Sequence, residues 1–140
     1  VSGVSYELGK FISFESSSKK ELVRWFNKFY EVFPKVSEEK EEPMLNILSY
    51  FTKENWRVIL FPRMKHRPAQ YFQDGDRNIL LSPASVDMGG VLITPLEKDF
   101  NKIDEEDIKD IFKQITIPTE FYEFLKLKLT KEGNEKIYHD

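Results

Sequence analysis

The sequence predicts an α+β domain, an antiparallel sheet of about five strands with helices packed on one face. Two patterns and a composition carry that expectation. Apolar residues alternate in short runs bounded by turn residues at 4–15, 44–51, 56–61, 78–84 and 91–94. Stretches at 18–33, 104–115 and from 118 onward repeat at helical spacing instead. Twelve Phe, six Tyr and two Trp let few residues fill the interior between the two kinds of element.

In chain order, Val4, Tyr6, Leu8, Ile12 and Phe14 share one parity and Gly9 interrupts them, which predicts one long bulged strand or a hairpin turning near Gly9 and Lys10. Ser16, Ser17 and Ser18 break the run. Ser18 with Glu21 three residues on reads as a capping box. The helix that follows carries Leu22, Trp25, Phe26, Phe29 and Phe33 as its buried stripe and stops before Pro34. Residues 37–43 form an acidic loop, read as a solvated spacer. Met44 to Phe51 and Trp56 to Phe61 are strands joined by a turn at 52–55, short enough for antiparallel pairing. After a turn at 73–76, Asn78 to Ala84 and Val91 to Thr94 are read as a second hairpin, with Gly89 and Gly90 opening its return strand. Asp104 caps a helix that buries Ile108, Ile111, Phe112 and Ile115. A last helix from Pro118 uses Phe121, Tyr122, Leu125 and Leu129, and 132–140 is a frayed tail.

The 140 residues fit a single domain spanning 1–140. A net charge of −3 argues against a general nucleic-acid or membrane-surface binder, so any cationic site must be local. No cysteine and two histidines remove thiolate chemistry and make a His-rich metal site a poor expectation, and no cofactor is implied. No apolar run is long enough to cross a bilayer. The chain opens at Val1 with no signal-peptide pattern, which suggests the carboxyl-terminal part of a longer, cytoplasmic chain.

Chemistry concentrates after the strand at 56–61. Arg63, Lys65, His66 and Arg67 follow Pro62 with only Met64 among them, and nothing acidic lies between Glu54 and Asp74. A strand that delivers cations to its own end builds an anion site: Arg grips phosphate with two donors and Lys adds a point charge. Arg57, within a mostly apolar strand face, joins them as a second-rank cation that needs an anionic partner or a route to solvent. The alternative is a solvated basic loop paired with 37–43 or with Asp74 and Asp76. No orienting partner stands near His66, so no catalytic residue is assigned.

The runs Trp56–Pro68, Asn78–Pro95 and Asp104–Ile115 carry a family likeness. Its marks are Leu60-Phe61-Pro62, the stretch from Ser82-Pro83-Ala84 to Gly89-Gly90-Val91-Leu92, and the capped helix. The chain resembles the carboxyl-terminal half of the galactose-1-phosphate uridylyltransferase branch of the histidine-triad superfamily, closest to the GDP-L-galactose phosphorylase and diadenosine tetraphosphate phosphorylase group. That resemblance implies a HIT-like fold built from two halves, with a His-x-His nucleophile usually in the amino-terminal one. No His-x-His occurs here, and Arg57-Val58-Ile59 occupies the strand where uridylyltransferase carboxyl-terminal halves place it. The expectation is thus a non-nucleophilic half of a nucleotidyltransferase or nucleotide-sugar phosphorylase, inactive alone, partnered by the amino-terminal half and a nucleotide or sugar-phosphate. A protein-interaction or dimerisation domain without nucleotide affinity is the rival.

Overall fold

The computed structural model describes residues 2–6, 9–33 and 43–131. Four antiparallel strands form the sheet: β1 Ser2–Tyr6, β2 Gly9–Ser16, β3 Leu45–Thr52 and β4 Asn55–Pro62, in the order β1-β2-β4-β3. The amino-terminal run is the hairpin alternative, with Tyr6 opposite Gly9. β4 pairs with β2 from Ile12↔Leu60 to Ser16↔Trp56, and with β3 from Leu45↔Pro62 to Thr52↔Asn55. Lys53 and Glu54 turn the β3–β4 hairpin with φ of 48° and 69°, the left-handed geometry that two-residue hairpin loops require and that usually selects Asn or Gly.

Alternation along β2 and β4 divides the core. Ile12, Phe14 and Leu60 face one way and meet Phe29 of α1 (Lys19–Val32), Phe33 just past its end, and Tyr122, Leu125 and Leu129 of α5 (Thr119–Lys131), with Trp25 and Val58 at the margin. Phe11, Ile59 and Phe61 face the other way and meet Ile79, Leu81, Met88 and the Ile111, Phe112 and Ile115 stripe of α4 (Glu105–Ile115). Helices therefore cover both faces of the sheet, not one. Each face of the central strands is apolar, so each needs its own cover.

The second predicted hairpin is not a sheet element. Within 78–94 the structure has a single-turn helix, α2 (Ser85–Met88), flanked by extended chain, and α3 (Glu97–Lys102) follows. Ile79 and Leu81 are buried in strand-like alternation, but the Leu80 N–H goes to Asp99 Oδ2 at 2.8 Å and the Ile79 N–H to the Gln70 carbonyl at 3.1 Å. Side chains and turns take the donors that a neighbouring strand would have taken. Gly89 and Gly90 close α2, with Gly90 at φ 101°.

Helix starts follow the sequence with one substitution of roles. Asp104 accepts from the Asp107 N–H at 2.9 Å while the Asp107 carboxylate takes the Asp104 N–H at 3.3 Å, a reciprocal cap. At α1 the cap residue is Ser18, but its side chain makes no cap bond. The hydroxyl comes from Ser16 at the end of β2, which accepts from the Ser18 N–H at 2.9 Å and donates to Glu21. The acidic loop, apart from Pro43, and the 132–140 tail lie outside the described residues.

Candidate functional site: a cationic loop pinned at both ends

Pro62 ends β4, and the chain that leaves it is fixed at once. The Arg63 N–H donates to the Met44 carbonyl at 3.0 Å, and the Met64 N–H to the Ile115 carbonyl at 2.9 Å, so the exit runs between the start of β3 and the end of α4. At the far end Pro68 is buried, and the Ala69 N–H donates to Gln114 Oε1 at 2.8 Å. Gln70, Asp110 and Gln114 knit this corner to α4: both amide nitrogens donate to Asp110, at 2.6 and 2.7 Å, and Gln114 donates to Gln70 Oε1 at 3.0 Å. A short turn, Ala69–Phe72, completes the anchor.

Arg63 lies inside this frame, 5 % exposed. Its guanidinium donates to the Pro83 carbonyl at 2.6 Å, the His66 carbonyl at 2.8 Å and Asn46 Oδ1 at 3.3 Å. Ser82 Oγ donates to the same His66 carbonyl at 2.8 Å. Burial pulls the guanidinium below its ordinary pKa, and the charge of buried Asp87 works the other way. Arg63 Nε and Asn46 Nδ2 are buried and make no hydrogen bond among the described residues. The residue expected to grip phosphate thus has its donors turned inward, where they fix loop shape.

Lys65, His66 and Arg67 are exposed between the two anchors. With the His66 carbonyl held from inside by Arg63 and Ser82, the backbone of this stretch is fixed. Arg67 Cζ lies over the Tyr71 ring, 4.3 Å from its centre, a cation–π contact that restrains the guanidinium. Arg57 is not part of this group. Six residues back along β4 it sits roughly 20 Å away at the strand rise, bonded through Nε to Glu15 Oε2 at 2.9 Å and lying 5.9 Å from the Tyr50 ring centre. That bond raises the Arg57 pKa and lowers that of Glu15. Arg63, Lys65, His66 and Arg67 share a loop; the last three present side chains to solvent, and Arg63 supports them.

Sequence reasoning did not single out the polar residues that hold this region. Asn46 and Ser82 contact the Arg63 frame, Asp87 accepts from the Ala84 N–H at 2.7 Å and the Ile93 N–H at 3.0 Å, and Asp99 takes the Leu80 N–H. The readable signal was a lone Asp between Val86 and Met88, the pattern of a buried acceptor, whereas Asp99 among Glu97, Lys98, Asn101 and Lys102 carried none. Among the described residues no group of three or more His, Cys, Asp or Glu side chains is placed to hold a metal ion. A shallow open depression lined by Lys20, Val23, Arg24, Asn27, Lys28 and Glu31 lies along α1 and shares no residue with the loop. No helix among the described residues is long and apolar enough to cross a membrane.

No curated protein and no solved structure matches the chain. A family model does, and it spans both helical layers, the sheet and the cationic loop. The match supports the GDP-L-galactose phosphorylase carboxyl-terminal domain among the relatives suggested by sequence. With residues 4–135 matching the family described as GDPGP1-like, C-terminal domain, the chain belongs to that family.

Proposed function

We propose that the domain is the non-nucleophilic half of a HIT-like nucleotidyltransferase or nucleotide-sugar phosphorylase, in which Lys65, His66 and Arg67 contact the phosphates of a nucleotide or sugar-phosphate. A C-terminal domain of this family implies a parent chain with another domain. The observation that carries the reading is the pinned loop, which holds three cationic or potentially cationic side chains at the surface of a chain that is acidic overall. Phosphorolysis brings an anionic nucleophile toward an anionic ester, and fixed cations beside the leaving phosphates lessen that repulsion without reorganising. Arg67 supplies paired donors and Lys65 a point charge, while His66 adds a donor. Arg63 serves as a positioning residue, and Arg57 is left out of the site. The nucleophilic side chain lies in the other domain, so this domain alone is inactive.

The experiment is nucleotide titration of the full-length parent. Arg67→Ala should weaken binding by about 1.5–3 kcal/mol, the worth of a charge-assisted hydrogen bond, and Lys65→Ala by less. Arg57→Ala should leave it unchanged. Wild-type affinity in both Arg67→Ala and Lys65→Ala would reduce the loop to solvated surface. Loss of turnover with intact binding in His66→Ala would move the chemistry into this half.

A further inference from the structure

We propose that the apolar surface of the 86–100 segment is the docking face for the other domain of the parent chain. Val86, Val91, Ile93, Leu96 and Phe100 are all exposed, Val91 at 62 % and Phe100 at 72 %. Scattered apolar residues on a surface need no explanation, but five from one short stretch do.

The segment is not loose chain that happens to be greasy. Val86 and Val91 are brought together by the bond from the Val91 N–H to the Val86 carbonyl at 3.3 Å. Ile93 is placed beside them by its N–H bond to Asp87 at 3.0 Å, and Leu96 and Phe100 are joined across one helical turn at 3.0 Å. Two buried carboxylates hold the stretch: Asp99 fastens it to the Leu80 N–H, and Asp87 fixes its shape by accepting from the Ala84 and Ile93 N–H groups. Met88 and Leu92 point into the core while their neighbours point out. A fold that holds apolar side chains outward on a fixed backbone has the makings of an interface core, which is depleted of charge.

A second exposed apolar group has partners of its own. At the β3–β4 hairpin, Phe51 and Trp56 pack on each other across the strands at 5.2 Å, and Tyr50 lies under Arg57. The 86–100 surface has no such internal cover among the described residues. Its occupant is identified by the family, since a C-terminal domain implies another domain in the same chain. The surface begins three residues after Pro83, whose carbonyl binds Arg63, so a domain seated there stands next to the cationic loop. The inference rests on family membership and not on the phosphate reading.

Thiol accessibility in the purified full-length parent tests it, because this domain contributes no cysteine. V91C and I93C are introduced singly into a parent whose native cysteines have been replaced, with V23C on exposed α1 as reference. Maleimide labelling of each is normalised to its rate in denaturant. At least tenfold slower labelling of V91C and I93C than of V23C, unchanged on dilution, is the expected result. Labelling as fast as V23C would overturn the proposal by showing an open surface. Protection that disappears on dilution would also overturn it, by assigning the face to a second copy. Nucleotide affinity is measured separately, so a bare surface with intact phosphate binding, or the reverse, separates the two claims.

Discussion

The two ends of β4 solve the same problem in opposite ways. At one end Arg57 points out of the sheet beside Glu15, two partly exposed groups whose side chains are 41 % and 39 % accessible. Here the backbone ladder to β2 and β3 holds the structure, and the ion pair decorates it. At the other end the ladder stops at Pro62, and the chain beyond it is held largely by side chains, among them Arg63, Asp87, Asp99 and the Gln70, Asp110 and Gln114 corner. An arginine gains structural weight from what it desolvates and satisfies, not from its charge. The end without a ladder is also where the cationic loop and the exposed apolar segment lie.

The sharpest test of that contrast is Arg63→Met, which leaves the Pro83 carbonyl and Asn46 Oδ1 without their donor. A loss of about 3 kcal/mol is expected from urea unfolding. A loss within about 0.5 kcal/mol, the ordinary surface range, would erase the distinction between the ends.

Asp99→Asn should cost about 2 kcal/mol at neutral pH, since it weakens bonds to the Leu80 N–H and Lys98. Burial alone would raise the Asp99 pKa, but Lys98 and the Leu80 N–H outweigh it, and the net direction is down from 3.8. A carboxylate with a lowered folded value contributes stability that is complete above its unfolded pKa and is lost as pH falls through the folded one. Stability should thus decline in acid, and the Asp99→Asn decline should be shallower. Equal acid slopes in the two proteins would assign the effect to other carboxylates.

At the ladder end, Glu54→Gly relieves a left-handed residue of its Cβ and should stabilise the hairpin by about 1 kcal/mol. A loss in thermal midpoint would mean that the Glu54 side chain earns its strained position. The smallest effect is reserved for the pair itself: a double-mutant cycle on Glu15 and Arg57 should return a coupling of about 0.5 kcal/mol or less, fading as salt is added. Coupling that persists in high salt would make this end resemble the other.

The same contrast separates what was legible in the sequence from what was not. α1, the β3–β4 hairpin and α4 were readable from local period and connection length, with the Asp104 cap agreeing at α4. At 78–84 the alternation of Ile79 and Leu81 told which side is buried, but alternation says nothing about where N–H groups donate, and here they go to Asp99 and Gln70. Gly89 and Gly90 fit a hairpin turn as well as the end of a single-turn helix. The cluster at 63–67 was visible as charge. That Arg63 turns inward depends on the approach of Pro83 and Asn46, contacts across 20 and 17 residues with no local signature. Glu15 as the partner of Arg57 required the β2–β4 register.

Two bonds tie the beginning of the domain to its end: Lys10 Nζ donates to the Ile117 carbonyl at 3.1 Å, and the Tyr122 hydroxyl to the Phe11 carbonyl at 3.1 Å. Burial, with Glu123 adding to it, raises the Tyr122 phenol above its ordinary pKa, so it remains a donor. A ribosome makes these partners in order, and more than a hundred residues separate them. The hairpins can zip while α5 is still unmade, but Ile12, Phe14 and Leu60 then have only α1 to cover them. The nascent domain emerges with one face of its sheet half-dressed, and its period of greatest stickiness lasts until Leu129 has cleared the exit tunnel.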